Sequence, residues 1–165
     1  MLIRIILLIV AFLAGLLLLA GQWGLLSGKP PTNLGITDGK LKEPSQTENS
    51  VSSQASLYPT HPMRTYAEIA PIAYTGDPSA AWAKLERAVA TLPRTLVVTN
   101  KKLDTRQRYL YVQCTTLVLR FTDDVEFAMD EANHVIHVRS ASRLGRKDLG
   151  VNRARIEAIR TAFNV

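Results

Sequence analysis

The sequence predicts an α+β domain: an antiparallel sheet of about four strands with two helices on one face, preceded by an N-terminal transmembrane helix. Three observations predict it. An uncharged apolar run, IILLIVAFLAGLLLLAGQWGLL, fills Ile5–Leu26. Two later segments, GDPSAAWAKLERAVATLP and GVNRARIEAIRTAF, place apolar residues at helical spacing. Between them lie short β-type stretches, one of which, LRFTDDVEFAMD, alternates well between apolar and polar residues. Strands grouped between helices, not interleaved with them, give a sheet covered on one side.

Crossing the hydrocarbon takes about 20 apolar residues, whereas the apolar part of a signal peptide is about 7–15. The run fits an anchor, with Gln22 and Trp23 near the far interface, where Trp tends to sit. A cleaved signal is the alternative, but Leu18 and Ala20 make a poor small-x-small cleavage site. Residues 1–26 are therefore read as a transmembrane anchor or uncleaved signal. Arg4 precedes it and Lys29, Lys40 and Lys42 follow, so counting charges does not favour an outside body. A short N-terminal tail and a large C-terminal domain do, since such domains translocate largely regardless of charge. The expected location is a bacterial inner membrane, single-pass, with a periplasmic body.

Residues 27–65 are rich in Pro, Ser and Thr, and SQTENSVSSQAS within them has the composition of a flexible linker. The α+β domain proper is expected over 66–165. AEIAPIAY reads as a short strand that Pro71 confines to an edge or bend. The first helix has Asp77 as N-cap, Pro78 at the first helical position, Trp82, Leu85, Val89 and Leu92 on one face, and Pro93 past its end. TLVVT reads as a strand, NKKLDTRQR as a polar connection and YLYVQC as the start of a second strand, after which the chain either bends tightly around Cys114–Leu117 or continues as one kinked strand. LRFTDDVEFAMD and VIHVRSAS form a hairpin around the turn EANH. The closing helix has Asn152 as N-cap, Ile156, Ile159 and Phe163 on its inner stripe, and Arg153, Glu157 and Arg160 on an outer one.

Charge is the second signal. The net charge is +6, but Ile5–Val138 is balanced, while Arg139–Arg160 holds seven basic residues against two acidic. A local surplus argues for a site, against the plainer reading of a solvated helix face. With the hairpin turn centred on Ala132 and Asn133, Phe127 faces Val138, Asp123 faces Ser142, and Glu126 faces Arg139 on the outer, solvated side. An exposed cross-strand pair of that kind contributes about 1 kcal/mol or less. Asp123 points inward, and a buried carboxylate must be paired. Arg143 or Arg153 is the expected partner, so Asp123, Ser142 and Asn152 form a structural polar core that pins the loop SRLGRKDLGVNR. The sharper reading is a pocket. Arg143, Arg146, Lys147 and Arg153 surround a loop that leads into a helix N-terminus, a setting that favours an anion.

Other chemistry finds less support. Cys114 is the sole cysteine, which excludes an internal disulfide and a multi-cysteine zinc site within one chain. Asp124, Glu126 and His137 are the residue types of a hard-cation site, but the two carboxylates share the outer face. Ser140 and Ser142 lack a nucleophile-elbow setting, and His134 sits in the hairpin turn. No aromatic residues interleave with the basic run, so no nucleic-acid partner is expected. No metal and no cofactor are expected either.

PPTNLGITDGKL, FTDDVEF, VRSASRLGRKDLGVNR and RIEAIRTAF, in that order, resemble the bacterial and plastid family known as domain of unknown function 1499. The resemblance spans about Lys29–Phe163 and implies a domain without an established activity. It implies that TNLGITDGKL packs on the body. The family pattern usually carries two cysteines around the stretch matching Pro44–Ser50. None is present here, and Ser50 stands where the second would be. Arg146 stands where an aromatic residue is common. The function expected is a non-catalytic envelope module that binds an anionic ligand or lipid headgroup, attached to the membrane through Ile5–Leu26. The alternative is an enzyme that uses Asp123 with the loop arginines.

Overall fold

The computed structural model describes residues 1–103 and 107–165. Residues 104–106, inside the expected connection NKKLDTRQR, lie outside the described residues. Helix α1 (Leu2–Gln22) is followed by an irregular stretch, strand β1 (Ser50–Ser52), the single-turn helix α2 (Arg64–Ala67), β2 (Ile72–Ala73) and helix α3 (Pro78–Ala90). Four longer strands come next: β3 (Thr95–Lys102), β4 (Arg108–Thr115), β5 (Thr122–Asp130) and β6 (Val135–Ser142). Helix α4 (Val151–Asn164) closes the chain.

The sheet is antiparallel, in the order β1-β6-β5-β4-β3, with β2 also on β6. It has six strands rather than about four. β2 lies within the stretch AEIAPIAY that reads as a short edge strand, whereas β1, three residues long, is too short to leave an alternating pattern. Both line the outer edge of β6, at Arg139–Ala141 and Val135–Ile136. The hairpin register follows the period-two reading: Asp123 opposes Ser142, Glu126 opposes Arg139, and Phe127 opposes Val138. β3 runs further than expected, with Asn100–Lys102 pairing with Arg108–Leu110.

One face of the sheet carries the core. Val112, Val125, Phe127, Ile136 and Val138 pack under Leu85 of α3 and Ile156 and Ile159 of α4, all at 1% exposure or less. Helix α3 begins where its sequence requires. Asp77 accepts a 2.7 Å hydrogen bond from the Ala80 N–H, and Pro78 supplies the next turn.

The other face is not solvated. Residues 33–43 lie across it. Leu41 is buried against Tyr109 and Ala128, and Ile36 and Tyr111 pack on that cluster. Gln54 accepts from the Leu41 N–H at 2.8 Å, and Tyr58 donates to the Leu41 carbonyl at 3.0 Å. The expectation of an exposed Glu126–Arg139 pair is therefore corrected. Glu126 is 0% and Arg139 4% exposed. The cover comes from a segment whose composition resembles a linker but which supplies one large apolar anchor and a turn at Thr37–Lys40.

Candidate functional site

β5 and β6 present carboxylates and arginines alternately to both faces of the sheet. On the outer face, Glu126 Oε1 accepts from Tyr109 Oη at 2.8 Å and from the Gly35 N–H at 2.9 Å. Arg139 Nη1 donates to Glu126 Oε2 at 3.2 Å, and its Nε donates to the Glu43 carbonyl at 3.2 Å. Burial and then the Glu126 charge raise the Tyr109 phenol, so it stays a donor. Arg143 grips Asp124 with two nitrogens, Nε at 2.9 Å and Nη2 at 2.7 Å, while Tyr111 Oη donates at 2.6 Å. That fork raises the Arg143 guanidinium further.

On the helix face, Asp123 meets Arg155 of α4. Arg155 Nη2 donates to Asp123 Oδ2, with the two side chains 11% and 4% exposed. Arg155 Nη1 also donates to Ser140 Oγ at 2.9 Å and to Asn152 Oδ1 at 2.7 Å. Asn152 Nδ2 reaches Ser142 Oγ at 2.9 Å, the Asn49 carbonyl at 3.0 Å and Asp148 Oδ2 at 2.8 Å. Buried polar groups in such a chain are costly unless each has a partner, and here they serve one another.

Several expected roles change. Neither Arg143 nor Arg153 neutralises Asp123. Arg143 follows the β6 alternation to the opposite face. Arg153 donates to the carbonyls of Tyr66 at 2.6 Å and Glu68 at 2.9 Å. Asn152 is not the N-cap. Gly150 occupies that position at φ 83°, and Asp148 does the capping, accepting from the Gly150 N–H at 3.1 Å and the Asn152 N–H at 2.9 Å. The loop is pinned chiefly by Asn49, whose Nδ2 donates to the Gly145 carbonyl at 2.7 Å, and by Asp148. Lys147 forms an exposed 2.9 Å pair with Glu48. Among the described residues Arg146 has no hydrogen bond or ion pair. The reading of the basic run missed Arg155, which lies four residues before Ile159 beside the buried stripe of α4. An inward Asp123, with Arg143 turned to the opposite face by the strand alternation, is the signal that points to it.

Asp148 gives this loop a pH dependence. Burial alone raises its carboxyl, but the hydrogen bond from Tyr66 and those from the Asn152 and Gly150 amides outweigh that and hold it below 3.8. A depressed folded-state value stabilises fully above the unfolded value, and the contribution drains away as pH falls through the folded one. Tyr66→Phe removes a 2.7 Å donor. It should raise the Asp148 pKa towards the unfolded value and move the acid loss of stability to higher pH. Carboxyl NMR titration checks this, and an unmoved Asp148 resonance would contradict it.

The remaining candidate groups offer little reactivity. Burial raises the Cys114 thiol, leaving it a poor nucleophile at neutral pH. Burial lowers the His137 imidazole despite Asp130 at 3.7 Å. Among the described residues no three His, Cys, Asp or Glu side chains converge as metal ligands, and Asp124 and Glu126 are each taken up by an arginine.

The loops at this end of the sheet meet the end of α1. A side-chain carbon on Gly21 would lie 2.7 Å from the Leu119 carbonyl oxygen, so only glycine fits. Gln22 Nε2 donates to the Val118 carbonyl at 3.3 Å, and Arg120 Nε donates to Gln22 Oε1 at 3.3 Å. Gly28 lies against Arg143 and Leu144. α1 has 21 residues, and an 18-residue window of it has a mean hydropathy of 3.0, long and apolar enough to cross a membrane.

A family model described as "Protein of unknown function (DUF1499)" matches residues 40–163. No curated protein and no solved structure matches the chain.

Proposed function

We propose, from the premise that this chain belongs to the DUF1499 family of proteins of unknown function, that it is a single-pass, membrane-anchored, non-catalytic binding module. Its body lies on the periplasmic side of a bacterial inner membrane and engages an anionic ligand or lipid headgroup at the Gly145–Lys147 tip. The observation that carries this reading is the division of the basic run. Arg139, Arg143 and Arg155 are committed to buried carboxylates, and Arg153 and Arg160 to backbone carbonyls. Arg146 and Lys147 are left at an exposed loop tip, Lys147 with only a solvent-exposed partner. The enzyme alternative needs Asp123 open to a substrate. Its charge is instead taken up by Arg155, which supports a scaffold role.

Arg146→Ala with Lys147→Ala should change stability by no more than about 0.5 kcal/mol, as surface changes usually do. It should weaken binding of the full chain, in neutral detergent, to a short-chain phosphatidylglycerol, and the difference should shrink as salt rises. Unchanged calorimetric affinity for every anion tested would reduce the charge to a solvated face. For topology, a C-terminal reporter should be active only in the periplasm. Activity only in the cytoplasm reverses the orientation, and a mature N-terminus near Gly21 removes the anchor.

A further inference from the structure

We infer that the end of the domain built from the loops 116–121 and 143–150 rests on the bilayer surface, with Leu117, Val118 and Leu149 entering the headgroup region and Arg120, Arg146 and Lys147 meeting lipid phosphates. The inference rests on α1 being the membrane anchor.

Four observations carry it. The first is placement. Both loops touch the last turn of α1 or the residues just after it, through Gly21 against Leu119, Gln22 against Val118 and Arg120, and Gly28 against Leu144. A helix that crosses the bilayer ends at the interface, so whatever packs on its last turn sits at headgroup depth. The second is composition. Leu117 is 65%, Val118 54%, Leu144 43% and Leu149 92% exposed, all at this end. Exposed aliphatic residues scattered singly need no explanation, but a cluster rimmed by charge marks an interaction surface. The third is the charge itself. Arg120, Arg146 and Lys147 stand among these aliphatic side chains, and among the described residues Glu48 is the one carboxylate that pairs with any of them. Cations beside apolar side chains are the pattern of an interfacial membrane contact. The fourth is conformation. Leu149 is held at φ 53°, a left-handed backbone that a bulky L-residue adopts at a cost, and its side chain is directed away from the protein. A partner that takes up the leucine accounts for this arrangement.

The test uses the full chain in a Cys114→Ala background, reconstituted into vesicles of phosphatidylcholine and phosphatidylglycerol with shallowly brominated acyl chains. An environment-sensitive fluorophore is placed in turn through Leu149→Cys, Leu117→Cys, Asn133→Cys in the distal hairpin turn, and Leu13→Cys inside α1. Bromine quenching at positions 149 and 117 should exceed that at 133 several-fold. In vesicles lacking phosphatidylglycerol, or after Arg146→Ala with Lys147→Ala, quenching at 149 should fall. If 149 and 117 are quenched no more than 133 while 13 is quenched, the chain is anchored but the surface contact is overturned. If quenching at 149 is indifferent to both phosphatidylglycerol and the double variant, the role of the cations is overturned. If 13 is not quenched either, the anchor reading falls and this inference falls with it.

Discussion

Glu126→Ala will lower the unfolding free energy by about 3–5 kcal/mol, the usual cost of breaking a buried ion pair. Glu126 has no exposed surface, yet its carboxylate holds together three separate parts of the domain. Tyr109 reaches it from β4, Arg139 from β6 and the Gly35 amide from the covering segment. Removing it leaves Arg139 charged and 4% exposed, with the Glu43 carbonyl as the remaining acceptor among the described residues. A double-mutant cycle over Glu126 and Arg139 should give a coupling well above the roughly 1 kcal/mol ceiling of exposed pairs. Denaturant titration of the full chain, followed through the buried Trp82, measures it. A coupling below that ceiling would mean that the covering segment does not seal this face in solution.

The hairpin register could be read because a strand has a fixed period of two, so one correct turn position fixes every facing pair. The cover over Glu126 could not. Residues 33–43 dock with Leu41 and Ile36 and otherwise through backbone groups, the Gly35 N–H and the Glu43 carbonyl, and every sequence has those. Only the family resemblance pointed to that packing. β1 was illegible for a similar reason. Its three residues are Ser-Val-Ser, and serine reads as linker even where it is fully buried. At the candidate site, the need for a cation beside Asp123 was legible and its identity was not. Arg155 lies at the margin of the α4 stripe, where an arginine normally turns its head to water, and three-dimensional closure of α4 onto β5 and β6 decides otherwise.

That closure makes the second large effect specific. Asp123→Ala and Arg155→Ala should each cost about 3–5 kcal/mol, because each leaves its partner's charge buried and unpaired. The two losses should not add, since the pair is broken by either one. Replacing both residues at once by apolar ones of similar volume should recover much of the loss, because a well-packed apolar pair is often as stable as a buried ionic one. Recovery will be incomplete, for Arg155 also donates to Ser140 and Asn152, whose oxygens would then lose a donor. Asp123→Asn keeps the shape and an acceptor but not the charge, so it should fall between parent and alanine. These outcomes separate scaffold from enzyme. If Asp123 is structural, stability and any biological activity fall together and return together in the apolar double variant. If Asp123→Ala keeps parental stability and loses activity, the carboxylate acts on a substrate and Arg155 is there to hold it in place.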